Sequence, residues 1–360
     1  MPNHRFFGLA LVALFSSGCF IGISGPKSPS LLPPQLPIVK PATPTPPPPP
    51  WEIGELSVGA NVLAVRMLSA EVACGVGEGG VMVTTVDGGR TWSDLPHTPA
   101  IKDDLQDVVF LDPRWWWAIG DKAAYVTKDA GATWTTVDVF KGEAPTIKHS
   151  EAGPAVVALA FRDYEHGAVA GHGRVYLTND SGATWTPVEP VASLAAYLNV
   201  QPIGQAYTVT HAEGFGRVDG SGIAYTPAQA VATTPAGLPV TFRTLRFAGP
   251  LVGYAVAEVL IARGTAHCQL LKTVDGGLTW VVVANRYNDD PLMDAARSID
   301  VVDERHVYIV TSYTVLGSSD GGATFTSLQS RVHHPWGLDM WDDATGLLFG
   351  QGAVFRRVIP

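Results

Sequence analysis

Residues Lys272–Trp280 read KTVDGGLTW, and the chain repeats this stretch four more times. The copies are TTVDGGRTW (Thr84–Trp92), VTKDAGATW (Val126–Trp134), LTNDSGATW (Leu177–Trp185) and GSSDGGATF (Gly317–Phe325). Each carries Asp, Gly two residues on, Thr four on and an aromatic five on. In chain order the sets are Asp87, Gly89 and Trp92; Asp129, Gly131 and Trp134; and Asp180, Gly182 and Trp185. Asp275, Gly277 and Trp280 follow, and then Asp320, Gly322 and Phe325. Their shared chemistry is that of a tight hairpin. The carboxylate accepts from N–H groups just ahead of it, and Gly supplies a left-handed backbone. The Thr hydroxyl joins the network, and the aromatic opens the next strand with a large body to bury.

The spacing places these turns in a larger repeat. Asp87 to Asp129 is 42 residues, Asp129 to Asp180 is 51, and Asp275 to Asp320 is 45. The gap of 95 from Asp180 to Asp275 holds one more unit, with a degraded copy at Val218–Tyr225. Units of this length with four short strands predict a β-propeller. Apolar content of 46% and 38 glycines suit an all-β core with many turns. A net charge of −9 argues against a nucleic-acid-binding face.

The pattern resembles the Asp-box, or BNR repeat, of β-propellers. In that family the box is a structural turn between the third and fourth strands of a blade, away from any active site. The similarity is greatest to the photosystem II assembly/stability factor-like propellers, whose repeats run apolar strand, Gly-rich strand, then T-x-DGG-x-TW, as in Val76–Trp92 here. Sialidases, xyloglucanases and sortilin-type receptors resemble it more remotely. The resemblance implies either a binding or assembly protein or a glycoside hydrolase, because one scaffold hosts both.

Seven units fit between Trp51 and Pro360. Their first strands are expected at Val62–Met67, Leu105–Phe110, Val156–Phe161, Ala196–Val200, Phe242–Phe247, Ala296–Val301 and Pro335–Met340. The last unit stops after three strands, with Ala353–Val358 as its third. Trp51–Leu56 resembles the strands that follow the boxes, so it is expected to complete blade seven. That closure removes open sheet edges. The expected fold is an all-β, seven-bladed propeller over residues 51–360, and a monomer.

The first 50 residues read as a leader and a spacer. Arg5 precedes an apolar run, Phe6–Phe15, of signal-peptide length. Ser16-Ser17-Gly18-Cys19 resembles a bacterial lipobox, which implies residues 1–18 as a signal peptide and lipid on Cys19. Ser16 departs from the usual Leu, which leaves plain cleavage after Gly18 as the alternative. Pro26–Pro50 contains 12 prolines and predicts an extended spacer. Together they predict an exported protein held on a bacterial outer membrane or cell surface. The two other cysteines, Cys74 and Cys268, fall in non-adjacent blades and are expected as small buried apolar residues.

No set of residues has metal-ligand spacing, and no cofactor is expected. His333-His334 is adjacent, and Asp289-Asp290 lacks the alternation of a calcium loop. Trp115 and Trp116 are expected in the turn before a buried strand holding Trp117. Binding is expected at the end of the ring opposite the boxes, the mouth. Candidates there are Glu78, Asp121, His172, His211, Asp290, Arg297, Tyr313 and Trp336. Paired carboxylates at such a mouth would serve a glycosidase. The sialidase pattern is missing: no Arg-Ile-Pro segment precedes the first box, and the arginines are unevenly placed. A xyloglucanase resemblance would need two propellers facing across a cleft. An envelope protein or glycan partner therefore ranks above catalysis, and no nucleic acid is expected.

Overall fold

The computed structural model describes residues 52–56, 61–141, 157–171, 173–188, 197–211, 214–227, 240–262, 265–285, 296–312, 314–330, 335–350 and 353–358. Among them are 28 strands and one short 3-10 turn, Glu78–Gly80. The strands make seven four-stranded antiparallel blades arranged in chain order. Blade one comprises Val62–Met67, Ala73–Gly77, Met82–Thr85 and Thr91–Asp94. Blades two and three begin at Leu105–Phe110 and Ala158–Phe161, blade four at Tyr197–Ile203 and blade five at Val240–Phe247. Blade six begins at Ser298–Val301, and blade seven holds Pro335–Met340, Thr345–Gly350 and Ala353–Val358.

The fourth strand of blade seven comes from the other end of the chain. Glu52–Leu56 runs antiparallel to Ala353–Val358, with Glu52 opposite Arg356 and Gly54 opposite Val354. The same strand continues parallel to the outer strand of blade one, with Glu55 opposite Thr91 and Leu56 opposite Trp92. Blades seven and one thus share one eight-stranded sheet. The sequence predicted the first pairing but not the second.

Strand lengths also differ from expectation. The first strand of blade four runs on to Ile203 and that of blade five starts at Val240. Trp116 lies inside the second strand of blade two and is buried, whereas the sequence placed it in the turn. Apolar faces of neighbouring blades interdigitate around the ring. Trp117, Phe161 and Trp185 pack between blades two and three, and Phe215, Phe242 and Trp280 between four and five. Cys74 and Cys268 are both buried and unbridged, and burial pushes the Cys74 thiol up to about 12.

Candidate functional site

The five boxes share one hydrogen-bond pattern, set by a residue the sequence reading did not single out. A Thr or Ser two places before the Asp sits under each turn. In blade three, Thr178 Oγ1 donates to Asp180 Oδ1 at 2.8 Å and accepts from Gly182 N at 2.9 Å. Asp180 also accepts from Thr184 N at 2.8 Å and from the Thr184 hydroxyl. Thr85, Thr127, Thr273 and Ser318 repeat the role toward Asp87, Asp129, Asp275 and Asp320. The box glycine therefore gives its N–H to this hydroxyl and not to the Asp. Gly89, Gly131 and Gly277 donate to Thr85, Thr127 and Thr273, and Gly322 donates to Ser318 Oγ at 2.8 Å. The hydroxyl residue is present in all five copies, so the signal was in the sequence. These bonds hold the Asp87, Asp129 and Asp275 carboxyls at about 2; burial is the leading opposing influence at Asp87, and the Thr bonds lead at the other two.

Each box also ties two elements together. The N–H one residue after the Asp donates to a carbonyl in the loop between strands one and two: Glu71, Arg114, Glu165, Leu251 or Arg305. The box glycine then faces the preceding blade. Gly182 sits against Trp117 of blade two, Gly322 against Leu270 of blade five and Gly89 against Leu347 of blade seven. Both residues after the Asp take left-handed backbone, including Ala130 at φ 60° and Ser181 at φ 61°. The Trp indoles of three boxes close back onto the turn: Trp134, Trp185 and Trp280 donate to Gly131, Gly182 and Gly277 carbonyls. In the box of blade six, the Phe325 ring has no N–H to give to Gly322, and it packs half-buried against the apolar cluster of blades five and six.

The degraded copy forms a different turn. Asp219 pairs with Gly222 across a two-residue loop, and its carboxylate accepts from Ser221 N at 2.8 Å. The hydroxyl two residues ahead of the Asp is replaced by Arg217, and Ser221 stands where a box needs Gly. The ring therefore has five boxes and one tight hairpin.

At the mouth, four carboxylates of blades one and two are held by their own surroundings. Glu78 accepts from Asn61 Nδ2 at 3.0 Å, and Asp104 accepts from Gly79 N at 2.7 Å. Asp103, buried, accepts from Lys122 N at 2.9 Å and Tyr125 Oη at 3.2 Å. Asp121 accepts from Gln106 Nε2 at 3.1 Å. Arg297 reaches Ser312 Oγ at 3.4 Å, and Trp336 is half-buried against blade seven. His211 ends the second strand of blade four. His172, Asp290 and Tyr313 lie outside the described residues, as do Cys19 and Trp51.

A repeated bulge shapes the mouth more than these tips do. In blades one, two, four, five and seven the first strand carries one extra residue near its start. The extra residues are Leu63, Gln106, Leu198, Arg243 and Trp336. In blade six Arg297 N donates to Val310 O, the residue already paired with Ser298. Bulges bend a strand and re-aim side chains, and they cluster beside functional sites. Here they bring residues of differing type to one level around the axis. Sequence reasoning found Arg297 and Trp336 but missed Leu63, Gln106 and Arg243, because a bulge leaves no compositional mark.

Deeper along the inner strands runs a charged relay. Arg66 Nη2 meets Asp107 Oδ1 at 3.0 Å and Arg66 Nη1 lies 4.0 Å from Asp339 Oδ1. Arg246 lies 4.0 Å from Asp300. One strand position repeats a role: Gln201, Asp300 and Asp339 each accept the N–H closing the next blade's first strand, from Phe247, Met340 and Met67. Burial raises the Asp339 carboxyl well above its usual range; Arg66 opposes this and Asp300 adds to it. For Arg66 burial lowers the guanidinium pKa, but the carboxylates of Asp107 and Asp339 outweigh it. Arg246 is lowered by burial and by the charge of Arg66.

No protein-family model and no curated protein matches the sequence. Solved structures do match the fold. One described as "YCF48 bound to D1 peptide" aligns with TM-score 0.61 and 16% identity, over 87% of this chain and 100% of that one. YCF48 from Cyanidioschyzon merolae gives TM-score 0.61 and 16% identity, over 86% of this chain and 99% of that one. An ancestral GH74 enzyme gives TM-score 0.54 and 11% identity; the match covers 77% of this chain but only 39% of the enzyme. The seven blades, the five hydroxyl-anchored Asp turns and these neighbours make the chain a seven-bladed β-propeller, similar in fold to YCF48.

Proposed function

We propose that this protein is an exported, envelope-anchored binding propeller that engages a protein partner at its mouth and performs no catalysis. The observation that carries the reading is the repeated bulge of the first strands, which places Leu63, Arg243 and Trp336 at one level, with Arg297 at the entry to the first strand of blade six. Such a mixture of apolar, cationic and aromatic groups suits an asymmetric partner, with Arg and Trp as the residue types that dominate binding energy. The carboxylates described at the mouth are each engaged by neighbouring N–H or O–H groups. That arrangement suits a rigid rim better than a general acid and its partner. The peptide bound to YCF48 is a precedent for a protein ligand on this fold. A glycan-hydrolysing role is the second reading, favoured by the GH74 neighbour.

The anchor belongs to the same reading. Lipid on Cys19 and the Pro-rich spacer would let the ring reach a partner in the envelope, and Cys19→Ala is then expected to release the protein from the membrane fraction. The mouth is tested with Arg243→Glu, Arg297→Glu and Trp336→Ala. Each is expected to weaken capture of envelope proteins by about tenfold or more, measured at a temperature where all the variants are fully folded. Undiminished capture would refute the mouth. Turnover of a polysaccharide panel, abolished by changing one mouth carboxylate, would make the second reading correct.

A further inference from the structure

The box end presents the same turn five times, so its corners serve as controls for one another. Blade five departs from the rest. Leu251 supplies the carbonyl that Glu71, Arg114, Glu165 and Arg305 supply elsewhere. Leu278 stands where the other boxes have Arg or Ala, and Val281 where they have Ser or Thr. With Val274, these side chains are 59–79% exposed. Three further large apolar residues are similarly open: Val86 of blade one, Tyr164 of blade three and Trp341 of blade seven. Among the described residues, every exposed large apolar side chain lies at this end of the ring.

Two observations say what covers it. The residues sit on blades one, three, five and seven, so a partner touching all of them must be broad and flat. The strand Glu52–Leu56 runs parallel to Thr91–Asp94, which leaves its box, so it starts at the box end. Glu52, where the described chain begins, therefore stands at this end, and 51 residues of sequence, including the apolar run Phe6–Phe15 and Cys19, precede it.

We infer that the box end is a membrane-docking face: it rests on a lipid bilayer, with the blade-five corner inserted deepest and the mouth turned outward. Trp and Tyr at its margin suit the interfacial zone of a bilayer, and Leu and Val supply apolar area. The box carboxylates keep the face acidic, so a zwitterionic surface suits it better than an anionic one. The inference rests on the export reading above, but it concerns the opposite end from the partner site.

The test uses the full chain and phosphatidylcholine vesicles. Leu278→Glu with Val281→Glu is expected to weaken sedimentation with vesicles by about tenfold. The matching pair on blade two, Ala132→Glu with Thr135→Glu, should change it by less than about threefold, since that corner has no exposed large apolar residue. All variants carry the same leader, so the difference reports the ring. Hydrogen exchange on vesicles should show protection at the turns of blades one, five and seven. Equal behaviour of the two pairs, or protection at Glu78–Gly80 instead, would overturn the docking face. Tighter binding on adding phosphatidylglycerol would overturn the preference for a zwitterionic surface. Mouth variants that abolish capture while vesicle binding persists separate this inference from the proposed function.

Discussion

Gly182→Ala is the sharpest probe of the boxes, because its cost has two separable parts. The residue adopts φ +81°, a left-handed conformation that costs an L-residue ~1–2 kcal/mol. An added Cβ would also lie 2.3 Å from Trp117 Cη2 and 2.5 Å from Cζ2. Trp117 is almost wholly buried and held by Phe161 and Trp185, with ring centroids at 5.3 and 6.1 Å, so it has little room to yield. Overpacking of that kind adds ~1–3 kcal/mol. The expected loss is about 2–5 kcal/mol, or about 3–8 °C in melting temperature for a unit of this size. Gly277→Ala keeps the first part and carries much less of the second, since its Cβ would meet Phe215 at 3.3 Å, a close contact relieved by a shift of a few tenths of an ångström. It should cost only about 1–2 kcal/mol. Ser181→Gly, one residue away at φ 61°, has the opposite sign: relief of strain less chain entropy leaves about 0–1 kcal/mol of stabilisation. Urea and thermal unfolding followed by circular dichroism measure all three. Equal costs at Gly182 and Gly277, or destabilisation by Ser181→Gly, would refute the argument from backbone and packing.

Thr178→Val should destabilise by ~1–3 kcal/mol by removing both the donor to Asp180 and the acceptor for Gly182 N, while Thr178→Ser stays near wild type; equal loss in both would disprove the hydroxyl's role. The carboxyls of Asp87, Asp129 and Asp275 are lowered to about 2 in the folded chain against about 3.9 unfolded, so their stabilisation is full above pH 4 and drains as pH falls toward 2. A melting temperature that stays flat from pH 5 to pH 2 would contradict that. Deleting residues 51–56 should expose the edges of Ala353–Val358 and Thr91–Asp94 and cause concentration-dependent association, visible by light scattering; a monomer melting like wild type would show that the closing strand is dispensable.

Blade count and box positions were legible because both rest on local chemistry repeated in register. An Asp turn needs the same residues wherever it stands, and five copies expose the period. The two-sided pairing of Glu52–Leu56 was not legible, since it depends on where blade one lies in space. The inner-rim acceptors were hidden for a related reason. Gln201, Asp300 and Asp339 look like isolated polar residues in apolar strands, and their shared role appears only when consecutive blades are superposed. Mouth residues proved hardest to read. Sequence singled out Glu78 and Asp121 as polar hairpin residues but could not show that Asn61 and Gln106 already engage them. Conversely, Arg243 looked like an ordinary strand residue until the bulge put it beside the mouth, where it pairs with Glu258.

The junction where the termini meet explains why the ring can be both modular and closed. Between other neighbours the blades are joined by packing and by polar links such as those of Asn199 and Gln201 to Leu245 and Phe247. Between blades seven and one the three strands of residues 335–358 are held to the rest of the ring by non-covalent bonds alone on this side, and several kinds of bond meet there. The shared strand pairs with both blades. Met67 N donates to Asp339, Arg66 approaches the same carboxylate, and Arg356 Nη1 reaches the Asp87 carbonyl. Gly89 of the first box lies over Leu347. These contacts run from the axis to the outer rim, so no single radius opens first. The arrangement also fixes the direction of Glu52–Leu56, because only a strand entering from the box end can run parallel to Thr91–Asp94 and antiparallel to Ala353–Val358. Closure and orientation are therefore consequences of the same five residues.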